Sequence, residues 1–316
     1  MAFSSQRIIE TGVTTAMSVP SGQSDALVTD ITDSGTDYQV FSFVGSQTLT
    51  VSAQTTCDVM VVAGGGTGRI LGGGGGGGLR HWTGMVFPVG TYAVVVGGGG
   101  SASLETNGTN STVTYSGSGS FITLTASGGG RGPGALTGGI AGGSGGGGQS
   151  RALTSTSSRW VGGSGNSGGD TTDVNSGTKV SPTGNSAYQE GHAGGNGSSD
   201  DSIAGGGGGS PTAIGDTGDS SHNGGNGGAP YSTTIRTGST QYFSGGGGGA
   251  GNTTAGKGGD SATADGSAAK GGATDGNYSG SVTAAAVNTG GGSGGAGGTS
   301  NAADGGRGIV IIRRAV

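Results

Sequence analysis

Residues 59–82, VMVVAGGGTGRILGGGGGGGLRHW, join two kinds of sequence that stabilise structure in different ways. The opening Val59-Met60-Val61-Val62 is an apolar run of β-prone residues that predicts a buried strand. Residues 72–78 are seven consecutive glycines. Because no side chain is available there, order in this segment has to come from backbone hydrogen bonds.

The composition of the whole chain repeats this contrast. Glycine supplies 84 of the 316 residues and proline only 6, and the glycines come in runs, so a collagen triple helix is excluded. Only 29 % of the residues are hydrophobic, too few for a side-chain core that spans the chain. With a formal net charge of -5 and 10 % charged residues, the chain has no basic surface for nucleic acid, and we expect no nucleic-acid partner.

Strand-like runs between residues 38 and 126 predict an antiparallel β unit. Alternation such as Phe41/Phe43 and Leu49/Val51 places apolar side chains on one face of a sheet. A single further apolar run, at residues 309–312, stands almost at the end of the chain. Since four β-prone apolar residues need a core to cover them, we predict that this run returns to the β unit and completes it.

The remaining glycine runs predict packed polyglycine-II helices, which we call rods. Such a helix has three residues per turn and no internal hydrogen bonds, so its backbone groups point outward to neighbouring rods. Only glycine lets the backbones approach closely enough. A rod surrounded on all sides needs glycine at every position, as in residues 72–78, whereas an outer rod tolerates another small residue at every third position, as in GGNGGA at residues 224–229.

The predicted fold class is therefore mainly β: an antiparallel β-sandwich-like unit closed by the C-terminal strand, plus a glycine-rich array of packed polyglycine-II helices, with almost no α-helix. We predict an N-terminal attachment arm at residues 1–37 and a β unit at residues 38–126 that residues 308–316 complete. Residues 127–307 form the predicted polyglycine-II array with exposed connectors. Cys57 lies just before the predicted buried strand at residues 59–62, and in such a strand a thiol acts as a small hydrophobe.

Three motifs carry a resemblance to a known family: Val61-Val62-Ala63-Gly64-Gly65-Gly66, Pro88-Val89-Gly90-Thr91-Tyr92 and Gly308-Ile309-Val310-Ile311-Ile312. In this order they resemble the glycine-rich domain of bacteriophage tail-fibre and related virion proteins, although Arg314 stands where family members often have Tyr. The glycine runs are more loosely similar to polyglycine-II tip adhesins, whose connecting loops contact the bacterial surface. The resemblance implies a virion protein, a tail-fibre or fibre-tip adhesin that binds a host receptor noncovalently.

The same resemblance sets the expected partners. The N-terminal region would attach to other virion proteins (fibre shaft, baseplate or capsid), the receptor would be a host-surface glycan or an outer-membrane protein, and a homotrimer is one expected assembly. The protein would be assembled in the host cytoplasm and exposed on the virion. Two alternatives remain open, a purely structural fibre or decoration protein and, more distantly, a polyglycine-II ice-binding protein.

The candidate receptor-binding residues are large side chains in the connectors between glycine runs, because aromatic and arginine side chains bind well from surface loops. If successive rods are antiparallel, the connectors alternate between two ends of the array. The aromatic-rich end is the predicted ligand face, and Arg159 and Trp160 lie at the other end. The candidates at the aromatic-rich end are Tyr188, Tyr231, Arg236, Tyr242 and Phe243.

Nothing in the sequence favours catalysis, and we expect no enzyme, no cofactor and no metal site. The pattern G-x-G-x-x-G is expected by chance in so glycine-rich a chain, and among 18 acidic residues only Glu10, Glu105 and Glu190 are glutamates. The nearest approach to a metal-ligand pattern is Asp216-x-x-Asp219-x-x-His222. We interpret it as a solvated polar loop.

Overall fold

The computed structural model describes residues 16–22, 24–118, 120–134, 137–150, 159–166, 178–179, 190–200, 202–259, 273–297 and 302–316. Within these ranges the chain is all-β and contains no helix, which confirms the predicted class. Its two larger sheets form a β-sandwich around a shared apolar core. An array of glycine rods extends from one end of it.

The sandwich consists of two antiparallel sheets. The five-stranded sheet has the order β1-β4-β7-β8-β9, with strands Met17–Ser18, Gln47–Val51, Gly90–Val95, Ser111–Tyr115 and Leu124–Ala126. The six-stranded sheet has the order β10-β6-β5-β13-β3-β2, with strands Thr178–Lys179, Leu79–Phe87, Thr55–Val62, Ile309–Ala315, Thr36–Phe43 and Ala26–Asp33. A separate hairpin pairs β11, Tyr231–Thr233, with β12, Gln241–Phe243.

The C-terminal strand β13 is a central strand of the six-stranded sheet, as predicted. Val310 pairs with Phe43 of β3 on one side and with Val61 of β5 on the other. Residues 309–312 are fully buried on both faces of the sheet. The sandwich therefore closes only when the last residues of the chain have returned to it.

Two apolar clusters lie on opposite faces of this sheet. The first is the core between the two sheets, which includes Phe41, Val59, Trp82 and Val310, and the free thiol of Cys57 is buried there. Desolvation raises the pKa of Cys57 to about 12, so this thiol acts as an apolar group. The buried residues of the second cluster lie on the outer face: Val40, Met60, Val62, Leu79, Ile309 and Ile311 from the sheet, with Tyr231, Ile235 and Phe243 from the hairpin.

The glycine run at residues 72–78 is the central rod of the array. Its N–H groups donate in a three-residue cycle, so that Gly73 and Gly76 bond to one neighbour, at Gly206 and Gly209. Six segments form hydrogen bonds with the backbone of this rod: residues 63–66, 127–130, 144–147, 206–209, 244–247 and 290–293. All of these bonds join backbone groups except the one that the Ser244 hydroxyl donates to Gly77 O. This is the packing predicted for a run with glycine at every position.

Close backbone packing explains why the central rod excludes side chains. A Cβ atom on Gly73, Gly74 or Gly75 would overlap a backbone carbonyl of a neighbouring rod. Gly98 belongs to an outer segment, and a Cβ there would have nothing closer than the Thr109 hydroxyl at 3.8 Å. The requirement for glycine is therefore strict in the interior and relaxed at the edge.

Side chains complete the hydrogen bonds at the edge of the array. The Oδ1 atoms of Asn107, Asn110, Asn196, Asn226 and Asp275 accept the backbone N–H of Arg131, Gly128, Gly162, Lys257 and Gly258, at 2.7 to 3.0 Å. Each oxygen takes the position that a backbone carbonyl of another rod occupies in the interior. A small polar residue at every third position of an outer rod thus has a structural role.

The boundaries between the regions differ from the prediction in two places. Within residues 16–37, β1 pairs with β4 and β2 pairs with β3, so this part of the predicted arm belongs to the sandwich. The glycine runs within the predicted β unit, at residues 64–78 and 97–100, leave the sandwich and join the array. Residues 1–15 lie outside the described residues.

The strand registers give the molecule two poles. Rods begin directly after Val62 of β5 and end directly before Leu79 of β6, so these strand ends face the array. Met17 pairs with Val51, and Val51 pairs with Gly90 at the other end of the five-stranded sheet. The chain therefore enters the sandwich at the pole that faces away from the array. We call the two ends of the array proximal, next to the sandwich, and distal.

Candidate binding surfaces

The predicted aromatic-rich ligand face lies at the proximal end and covers the sheet. Tyr231 and Phe243 are 8 % and 2 % exposed and pack in the outer apolar cluster with Ile235. The hairpin extends along the sheet, and the Thr234 hydroxyl donates to Asp33 Oδ2 at 2.8 Å. Tyr231 and Phe243 are therefore core residues, and their burial leaves no free surface for a receptor.

A buried polar contact anchors the hairpin. The Tyr231 hydroxyl and His81 Nδ1 are 2.8 Å apart and share a hydrogen bond. Desolvation lowers the pKa of His81 to about 4 and raises that of Tyr231 to about 12, so both groups are neutral at pH 7. Arg236 and Tyr242, at the edge of the hairpin, are half-buried.

Arg159 and Trp160 lie at the distal end, opposite the hairpin, as the alternation of connectors predicts. Gly147 donates to Gly73, at the start of the central rod, and Gln149 N then donates to Arg159 O at 2.9 Å. Both Arg159 and Trp160 are half-buried. Tyr188, which was expected at the proximal end, lies outside the described residues.

The turn between the first two rods, residues 69–71, stands at the centre of the distal end. Ile70 and Leu71 have φ angles of +32° and +72°, which branched or bulky side chains rarely adopt. Arg69, almost fully buried, forms an ion pair with Glu105 of the neighbouring connector. Next to Glu105, Leu104 is 74 % exposed, so the distal end presents both charge and apolar surface.

A polar groove of about 500 Å³ opens on the flank of the array. Residues 224–226 of one rod lie among its lining, between two neighbouring rods. Asp216 and Thr217 come from one neighbour, and Thr254 and Lys257 come from the other. The sequence pointed to Asp216 and Asp219 only as members of a metal-ligand pattern, and it contained no signal that Lys257 lies in the same groove.

The Asp-His pattern itself is a set of structural contacts. Asp219 accepts hydrogen bonds from Ser221 N and from Asn223 N and Nδ2, at 2.8 to 2.9 Å, and these bonds lower its pKa. His222 Nδ1 accepts from Ile203 N at 2.9 Å. Among the residues that the structure describes, no group of three His, Cys, Asp or Glu side chains is arranged to hold a metal ion.

Comparison with known proteins supplies the family. The sequence profile of the glycine-rich domain matches residues 42–315, from the end of β3 through the rods to the next-to-last residue of the chain. The chain belongs to the glycine-rich domain family. Neither the comparison with curated proteins nor the comparison with solved structures found a match.

A buried carboxyl joins the two halves of this glycine-rich domain. Glu190 is fully buried at the proximal end, and its carboxylate accepts hydrogen bonds from Ser127 and from Asn166 Nδ2, with Arg80 of β6 at 3.6 Å. Desolvation raises the pKa of Glu190, an effect that Arg80 opposes. This contact ties the rods to the first residues of β6.

The glycine-rich domain contains no described helix that is long and apolar enough to cross a membrane.

Proposed function

We propose that this glycine-rich domain is a bacteriophage virion protein, a tail-fibre or fibre-tip adhesin that binds a host-surface receptor noncovalently. The polarity of the fold carries the proposal. The chain enters the sandwich at one pole, and the distal connectors lie at the opposite pole. An adhesin needs this separation, because attachment to the particle and contact with the host require different surfaces.

The distal end is the better receptor-binding surface of the two. The proximal aromatic residues Tyr231 and Phe243 are buried against the sheet, whereas the distal Leu104 is exposed and Arg159 and Trp160 are partly exposed. Rods held by regular backbone bonds form a rigid support for short connectors. A rigid support reduces the conformational entropy lost on binding.

Adsorption of the virus to host cells tests this proposal. The distal variant carries Leu104→Ser, Arg159→Ala and Trp160→Ala. The matched proximal variant carries Arg236→Ala and Tyr242→Ala, at half-buried positions on the edge of the hairpin. We expect adsorption to fall at least tenfold for the distal variant and to change less than twofold for the proximal one, at equal incorporation into particles.

The alternative is a purely structural fibre or decoration protein. Normal adsorption by both variants, with normal assembly, would favour that alternative. The structural alternative would also be supported if deletion of the whole protein prevents particle assembly while the point variants show no adsorption defect.

A further inference from the structure

We propose that the polar groove on the distal half of the array binds a neutral saccharide segment through its hydroxyl groups. This inference rests on the proposed function, since it names the chemistry of a receptor for the same end of the molecule. The groove is at the distal half because Gly73, at the start of the central rod, bonds to Gly206, and Gly207 bonds to Asp216.

The groove has the volume of a small-molecule site. Its volume of about 500 Å³ lies within the usual range of about 300–1,000 Å³ for ligand pockets. Its lining includes Gly224 and Gly225, whose missing side chains let the neighbouring rods pack closely against this rod. The volume of the groove is sufficient for a sugar ring beside residues 224–226.

The lining supplies both kinds of hydrogen-bonding group. Asp216 and Asp219 offer carboxylate acceptors, Lys257 offers an ammonium donor, and the Thr217 hydroxyl can do either. The Thr254 hydroxyl donates to Asn223 Oδ1 and can still accept a hydrogen bond. Saccharide hydroxyls are themselves donors and acceptors, and bonds to charged groups are the stronger ones. No aromatic or long aliphatic side chain lines the groove apart from the stem of Lys257, so an apolar ligand has little to contact.

The charges in the groove disfavour ionic ligands. Asp216 and Asp219 repel a polyanion, and the ammonium of Lys257 repels a metal cation at the same place. A neutral polyhydroxyl ligand meets neither repulsion. Among polar ligands, the charges of the groove therefore favour a neutral saccharide over a polyanion or a metal cation.

The groove is held in position before any ligand arrives. Three hydrogen bonds from its own turn fix the carboxylate of Asp219, and Lys257 N donates to Asn226 Oδ1 at 2.9 Å. Beneath them, Gly225 N bonds to Gly205 O at 2.9 Å, deeper in the array. Such preorganisation reduces the entropy lost on binding.

The experiment uses the full chain on a printed panel of neutral bacterial oligosaccharides. The test variants are Asp216→Ala and Lys257→Ala, both at exposed positions, and Asp30→Ala on the exposed edge of the sandwich is the control. We expect the wild-type protein and the control to bind at least one oligosaccharide and each test variant to lose at least tenfold in apparent affinity. Equal binding by the wild-type protein and both test variants would overturn the groove as the site.

Virus adsorption and calcium titration separate the remaining outcomes. If the panel shows no binding but the distal variant still abolishes adsorption, the saccharide inference is wrong and the adhesin proposal stands. A third outcome is that the groove variants lose saccharide binding, while viruses that carry the groove variants or the distal variant adsorb normally. In that case the groove binds saccharide and the adhesin proposal is wrong. Calcium binding that Asp216→Ala abolishes, without saccharide binding, would identify a cation site and overturn the inference.

Discussion

Side chains stabilise the sandwich, whereas the backbone itself stabilises the rod array. In the sandwich, side chains such as Phe41, Trp82 and Val310 exclude water from the space between two sheets. In the array, backbone N–H and C=O groups of residues such as Gly74 and Gly75 bond directly to neighbouring rods. Apolar burial stabilises the first region, and dense backbone hydrogen bonding offsets the high entropic cost of ordering glycine in the second.

The comparison implies opposite tolerances to substitution. A side-chain core accepts another apolar residue of similar volume at modest cost. The central rod of the array accepts no side chain, because a single Cβ added to a residue such as Gly74 meets a backbone carbonyl that cannot move alone. The edge of the array, where Asn side chains accept hydrogen bonds from backbone N–H groups, has an intermediate tolerance to substitution.

The largest effect should come from removing the strand that closes the sandwich. A chain that ends at Gly308 lacks β13, which lies between β3 and β5 and is buried on both faces. We expect no cooperative unfolding transition in circular dichroism and little soluble protein. A chain that lacks only Val316, which is 65 % exposed, is the control and should melt close to the wild-type temperature. An unchanged transition in the longer truncation would show that β13 does not complete the fold.

Within the array, Gly74→Ala should be far more destabilising than Gly98→Ala. The added methyl on Gly74 overlaps the carbonyl of Gly66, whereas that on Gly98 lies 3.8 Å from its nearest neighbour. We expect a loss of about 3 kcal/mol or more in the free energy of unfolding for Gly74→Ala, and less than about 1 kcal/mol for Gly98→Ala. Denaturant titration of both variants checks this, and similar values for the two would refute the packed-rod interior.

At the hairpin that covers the sheet, stability should depend on the protonation of His81. Its pKa is lowered to about 4 by desolvation, so the folded state favours the neutral imidazole relative to the unfolded chain. The resulting stability is present above the unfolded pKa of about 6.5 and is lost as the pH falls towards 4. We expect the wild-type protein to lose up to about 3 kcal/mol over this interval relative to His81→Asn, which keeps a polar partner for Tyr231 but does not titrate. Chemical denaturation at a series of pH values gives the difference, and parallel curves would count against burial of the neutral ring.

The smallest effect is expected at the edge of the array. Asn107→Ala removes the oxygen that accepts Arg131 N at 3.0 Å, and we expect a loss of about 1 kcal/mol. Asn107→Asp keeps an acceptor at this position and should recover most of the stability. If the alanine and aspartate variants unfold alike, the side chain does not act as a substitute for a backbone carbonyl.

Sequence patterns predicted some strands well and missed others. β13 was predictable because residues 309–312 are apolar without interruption and stand apart from any other such run. β6 was not, because Arg80, His81 and Gly84 break the alternation expected of a half-buried strand. β2 lies at the edge of its sheet and carries exposed Leu27 and Val28, so its pattern did not indicate a buried face.

For the candidate site, the alternation of connectors was predictable and the role of each connector was not. Counting antiparallel rods correctly separates Arg159 and Trp160 from the hairpin at residues 231–243. An aromatic residue in a connector can either bind a ligand or cover a sheet. Because the same residue type serves both roles, the sequence does not distinguish between them. Tyr231 and Phe243 cover the sheet because the outer face of β13 and β5 is apolar and lies next to them.

By itself, then, the sequence determined that the glycine runs become rods and that apolar runs such as residues 309–312 become strands, because these patterns act locally. The tertiary structure alone decided that residues 72–78 lie at the centre of six neighbouring segments and that Asp216 and Lys257 meet in one groove. The physical reason is that a rod has no internal hydrogen bonds. Its partners come from segments up to about two hundred residues away, and no local pattern specifies which of them will be adjacent.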